Sequence, residues 1–105
     1  MSEDGPLGAF EEQVLIAVLR TRDEAYGMAV RRELEQVTER AIAVGAVYAT
    51  LDRLEAKGLV SSRRADLGGV SRRLFAVAPD GVRALAETRG MRERLWRGVV
   101  LPALA

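Results

Sequence analysis

An α+β fold in which helix dominates is what this sequence predicts, and three observations carry it. Apolar residues recur at three- and four-residue spacings in four separate segments. Two segments of extended character flank Asp66-Leu-Gly-Gly-Val70, a turn with two glycines free to take positive φ. The stretch from Gly45 to Gly58 reads as a short helix stopped by glycine and feeding straight into the first of those strands. The order helix, helix, helix, hairpin, helix is that of a winged helix-turn-helix with one added C-terminal helix. At 105 residues, 49% of them hydrophobic, the chain suits one compact domain with a small core. The expected organisation is a flexible arm over 1–6, a winged helix-turn-helix over 7–78 and a dimerisation helix over 79–105.

Each element has its own warrant. The first six residues, with Ser, Gly, Pro and two acids, resemble a frayed arm. Helix one runs from about Gly8 to Arg20 on a stripe of Phe10, Val14, Leu15, Val18 and Leu19. Tyr26-Gly27 opens a second helix to about Val37, in which Val30, Leu34 and Val37 share a face while Arg31, Arg32, Glu33 and Glu35 point largely to solvent. Ile42, Ala43 and Val44 are too apolar for a loose loop, and a brief extended segment beside the hairpin is expected there. In the third helix Val47, Leu51 and Leu54 form the buried stripe. The returning strand, Arg72–Ala78, puts Phe75 and Val77 on the inward parity. Pro79 stops that strand and suits the first turn of a last helix, expected to reach about Leu101.

Composition removes whole classes of function. Cysteine and histidine are both absent, so disulfides, thiol chemistry and the usual zinc ligands, general bases and activated nucleophiles have no candidate. No catalytic residue, metal site or cofactor is expected, and the chain is read as no enzyme. No apolar run is long enough to span a bilayer and no leader is recognised, so a cytoplasmic protein without membrane contact is expected. The net charge of +1 hides an asymmetry. Through Glu24 the acids Glu3, Asp4, Glu11, Glu12, Asp23 and Glu24 oppose Arg20 and Arg22, whereas from Leu67 onward seven arginines face only Asp80, Glu87 and Glu93. A local basic field is what attracts phosphates, although ordinary solvated arginines remain the alternative for the C-terminal ones.

The chemistry concentrates on the third helix and the hairpin. The helix's outer face, Ala46, Ala49, Thr50 and Arg53, is slim enough to lie in a DNA groove, where the small residues touch thymine methyls and Thr50 adds one hydrogen bond. A surface helix of a small domain is the competing reading. In the hairpin, Arg63 and Arg64 on one arm and Arg72 and Arg73 on the other become neighbours, a repulsive arrangement that a bound polyanion relieves. A solvated basic hairpin is the bland alternative, and Asp66 is the only acid nearby in sequence. These arginines act through phosphates, so discrimination falls largely to DNA shape. Tyr26 and Tyr48 are candidate hydroxyl donors to phosphate, or rings that cap the core.

The last helix carries more apolar surface than its own domain can cover. Leu95, Trp96, Val99 and Val100, packed against Phe10 and Val14 of a second copy's first helix, are the expected homodimer interface. Trp96 is read as an interface anchor, or as a platform for a small planar effector between subunits.

The chain resembles the PadR family of transcriptional regulators from Leu7 to about Trp96. The resemblance rests on Tyr26-Gly27, on Gly45-Ala-Val-Tyr48 with Leu51, Arg53-Leu54-Glu55 and Gly58-Leu59, and on Gly68-Gly69, Arg72-Arg73 and Pro79-Asp-Gly81. It implies a bacterial, homodimeric winged-helix repressor of the short form with a single C-terminal dimerisation helix. Ala43-Val44 stands where the family often has Ser-Pro, Val70-Ser71 where it has Arg-Pro, and Leu74-Phe75 where it has paired tyrosines. Double-stranded DNA bearing an inverted repeat is the expected partner, with release by a small-molecule effector. The alternative is a winged-helix dimer that binds a protein or sequesters a ligand without binding DNA.

Overall fold

The computed structural model describes residues 7–104; the arm assigned to 1–6 lies outside the described residues. Four α-helices, α1 (Ala9–Thr21), α2 (Gly27–Thr38), α3 (Val44–Ala56) and α4 (Pro79–Trp96), surround one antiparallel hairpin, β1 (Val60–Leu67) with β2 (Val70–Val77). A single 3-10 turn, Arg22–Glu24, joins α1 to α2. The core lies where α1, α2 and α3 cross. Val14, Leu15, Val30, Val47, Leu51 and Leu54 are its largest fully buried side chains, each worth about 1.5–3 kcal/mol on removal from water. Phe75 closes it from the hairpin and Leu85 from α4.

Three side-chain links fix the helices to one another. Glu11, buried near the start of α1, accepts from the Gly8 amide at 3.0 Å and from Lys57 Nζ at 2.9 Å, tying that end of α1 to the end of α3. Burial pushes the Glu11 pKa up, but the Lys57 hydrogen bond and charge and the Gly8 amide outweigh it and hold the carboxyl below its ordinary 4.5. Glu12 pairs with Arg92 at 2.5 Å, clipping α4 to α1. Arg31 and Glu35 of α2 grip Ile42 from both sides, Arg31 Nε donating to its carbonyl at 2.6 Å and its amide donating to Glu35 at 2.8 Å.

That grip replaces the extended segment expected at Ile42–Val44. Val44 already belongs to α3, and the backbone that joins the hairpin is Ala25, whose carbonyl accepts from the Phe75 amide at 2.9 Å. Arg31 correspondingly faces the α2–α3 connection instead of open water. The hairpin is tight, with Leu67 opposite Val70, Arg64 opposite Arg73 and Ala65 opposite Arg72. Gly68 and Gly69 form its turn with φ of 61° and 83°, values that favour glycine at both positions of this kind of turn. Leu74 is buried as well as Phe75, because the 3-10 turn lies against β2 and covers part of the face that parity assigned to solvent.

Two expectations for the C-terminal part need correction. Helix α4 ends at Trp96 and not near Leu101: Gly98 turns left-handed at φ 76°, and the Val99 amide returns to the Trp96 carbonyl. Val14 is wholly buried in its own core and is unavailable to any partner, while Phe10 is partly buried against that core. The apolar residues that α1 does expose are Ile16 (41%) and Leu19 (51%). They line a groove of about 570 Å³ with Leu85 and Ala86 of α4.

Candidate nucleic-acid interface

Helix α3 presents Ala46, Tyr48, Ala49, Asp52 and Arg53 outward, with the hairpin rising beside it as a wing. No side chain caps its start; Ala43 serves with its carbonyl, which accepts from the Ala46 amide at 3.1 Å. Ala46 and Ala49 are exposed, as a slim groove-facing surface requires. Thr50 is a correction: at 3% exposure it faces inward, where its hydroxyl accepts from Arg53 at 3.3 Å, and it cannot reach a base edge. The three- and four-residue stripe of Val47, Leu51 and Leu54 simply extends to include it. Arg53 leans toward Glu11 at 3.5 Å while its side chain keeps 53% exposure.

Tyr48 stands at 40% exposure and packs across the first turn of α2. Its ring lies over Gly27 so closely that any Cβ there would overlap the ring. Glycine after Tyr26 is therefore a contact requirement of Tyr48. Tyr26 precedes α2 in extended conformation, and its hydroxyl accepts from Arg32 Nη2 at 2.7 Å. The Arg72 guanidinium sits over the same ring, 4.1 Å from its centroid.

The four wing arginines divide into two kinds. Arg73 reaches back to α3, bonding Asp52 at 3.0 Å and pairing with Glu55, while its Nε donates to Ser62 at 3.1 Å and its guanidinium covers Phe75. Ser62 in turn donates to Glu55 at 2.7 Å. The Ser62 hydroxyl and then Arg73 hold the Glu55 carboxyl below 4.5; burial would lower the Arg73 pKa, but Asp52 and Glu55 raise it further above its ordinary value. This network braces the wing against α3. Arg63, Arg64 and Arg72 instead have no carboxylate within 4.0 Å among the described residues. Asp66 is engaged in the turn, accepting from the Gly69 amide at 2.8 Å.

A cleft of about 290 Å³ opens where the three elements meet, walled by Tyr26, Gly27 and Tyr48 and by Arg64, Ser71, Arg72 and Arg73. Two tyrosines, the carboxylate-paired Arg73, two cations without such partners and the start of α2 meet there, a surface suited to an anionic oxygen. Of the candidates singled out in the sequence, Tyr26, Tyr48, Arg64, Arg72 and Arg73 line this cleft, whereas Arg63 lies beside Arg22 and Asp23. Sequence reasoning missed Arg32, six residues beyond Tyr26, and it missed the acids of α3, whose spacing from Arg73 is visible only once β2 is folded over the helix. Trp96, at 55% exposure, lies on α4 away from this cleft.

Comparison with known proteins agrees with this geometry. The model of the transcriptional regulator PadR-like family matches residues 15–87. The chain is 37% identical over 78 residues to the transcriptional regulator Rv3488 of Mycobacterium tuberculosis, spanning 74% of this chain and 72% of that one. Among solved structures, RosR of H. salinarum superposes with a TM-score of 0.70 at 26% identity, covering 93% of this chain and 84% of RosR. A PadR family regulator from Eggerthella lenta superposes with a TM-score of 0.66 at 27% identity, covering 81% of this chain and 75% of that one.

Proposed function

This chain belongs to the PadR-like family of transcriptional regulators, and from that premise we propose that it is a repressor that binds an inverted-repeat operator as a homodimer. The observation that carries the DNA reading is the cleft between α2, α3 and the wing, bordered by Arg64 and Arg72, which lack carboxylate partners among the described residues. Ala46 and Ala49 approach base edges, Tyr48 donates to a phosphate, and Arg53, Arg63, Arg64 and Arg72 neutralise the backbone. Arg73 acts indirectly, by bracing the wing.

Dimerisation is supported by apolar surface that one copy leaves open: Ile16 and Leu19 on α1, Leu95 and Trp96 at the end of α4, and Val99 and Val100 beyond it. A second copy seated on this face brings two recognition helices to one face of a duplex, about 34–36 Å apart, and repression follows by occlusion of a promoter. Release follows from a small molecule that changes that distance, with exposed Trp96 as its stacking platform.

Selection of bound sequences from pooled random duplex DNA, at two salt concentrations, tests the reading. An enriched inverted repeat is expected, with weaker binding at the higher salt. Absence of enrichment at both salts rejects it in favour of a winged-helix dimer that binds protein.

A further inference from the structure

Tyr26 gathers two cations from different elements onto one ring. Arg32 of α2 donates to its hydroxyl at 2.7 Å with its guanidinium 5.7 Å from the ring centroid, and Arg72 of β2 sits 4.1 Å from that centroid. Neither cation has a carboxylate within 4.0 Å among the described residues, whereas Arg73, the next residue on the wing, has two. An aromatic face attracts a guanidinium only modestly, and two guanidiniums gathered on one ring raise a local positive potential that an anion relieves. The cleft beside Arg72 leaves room for one, with the Tyr48 ring as its far wall.

We infer that Tyr26 is the positioning residue of a two-guanidinium clamp for a single DNA phosphate, its hydroxyl holding Arg32 and its ring face holding Arg72. One backbone phosphate then ties the wing to α2, so wing orientation and DNA contact are set together. This rests on the DNA-binding reading above and assigns to Tyr26, an uncharged residue, control over an electrostatic contact.

The test is the slope of log affinity against log salt concentration, measured on a selected duplex for the wild type, Tyr26→Leu, Tyr26→Phe and the pair Arg32→Ala with Arg72→Ala. Tyr26→Leu removes no charge, yet it is expected to lower the slope by about 0.9 for each protomer bound, the loss of one phosphate contact. The arginine pair lowers it equally, and adding Tyr26→Leu to that pair lowers it no further. Tyr26→Phe keeps the ring under Arg72 but releases Arg32, and is expected to lower the slope by part of that contact, less than Tyr26→Leu does. A wild-type slope in Tyr26→Leu, or a further drop when it is added to the arginine pair, overturns the clamp. If Tyr26→Leu fails to fold by circular dichroism, Tyr26→Phe decides: a wild-type slope there contradicts the hydroxyl's hold on Arg32 and overturns the clamp. A wild type that binds no duplex at low salt rejects the DNA reading itself, an outcome distinct from all of these.

Discussion

Single side chains set the shape of the cleft between α2, α3 and the wing, and Gly27 is the plainest case. Its missing Cβ is what lets the Tyr48 ring lie across the start of α2. Gly27→Ala is expected to swing that ring outward, lowering duplex affinity about tenfold, equivalent to about 1.4 kcal/mol. Because the ring is half in solvent, thermal unfolding should move little; a large fall in Tm with unchanged affinity would instead make Gly27 a folding residue. Glu11 shows a second residue-scale effect. Its folded-state pKa is depressed below 4.5, so the stability it contributes is complete above 4.5 and lost as pH falls through the folded value. Glu11→Gln should therefore be less stable than wild type at neutral pH and converge on it in acid. Parallel curves of Tm against pH would show that the Lys57 contact contributes no stability.

At the scale of elements, the wing is joined to the rest of the domain at two levels. Its base is fixed by backbone: Phe75 donates to the Ala25 carbonyl at 2.9 Å. Its middle is fixed by side chains, through Arg73 to Asp52 and Glu55 of α3. Neighbouring arginines on β2 consequently do different work. Arg72→Ala is expected to reduce the salt dependence of duplex binding while leaving Tm near wild type. Arg73→Ala is expected to lower Tm and speed amide exchange along β1 and β2, since the Glu55 carboxylate loses its cation and the wing its brace. Identical effects of the two substitutions on both readouts would dissolve the distinction. The α2–α3 connection works on the same logic, since Arg31 and Glu35 hold Ile42 in place of the missing side-chain cap on α3.

The whole molecule is elongated, 52 × 38 × 21 Å, and bears apolar surface on α1, on α4 and along the segment after Trp96. No helix among the described residues is long and apolar enough to cross a membrane. In the proposed homodimer a second copy covers that surface, seated at the α1–α4 groove. Leu95→Glu, at a residue 66% exposed in the single chain, is expected to leave the monomer fold intact, shift sedimentation toward a monomer and weaken operator binding more than tenfold. Unchanged sedimentation would remove the end of α4 from the interface.

What the sequence by itself determined was the order of elements, the buried stripes and the identity of most cleft residues. Local rules govern these: Val47, Leu51 and Leu54 are buried because their spacing is helical, and Gly68-Gly69 turns because glycine accepts positive φ. Only the tertiary structure decided which cations are free. Arg72 and Arg73 are adjacent in sequence, yet alternation along β2 sends one to Tyr26 and the other to the acids of α3, residues about twenty positions away in the chain. Ile42 was likewise misplaced because Arg31 and Glu35 settle it, and such contacts between distant segments leave no periodic trace in one sequence, whereas Thr50 and Val14 lie on helical stripes that already include them.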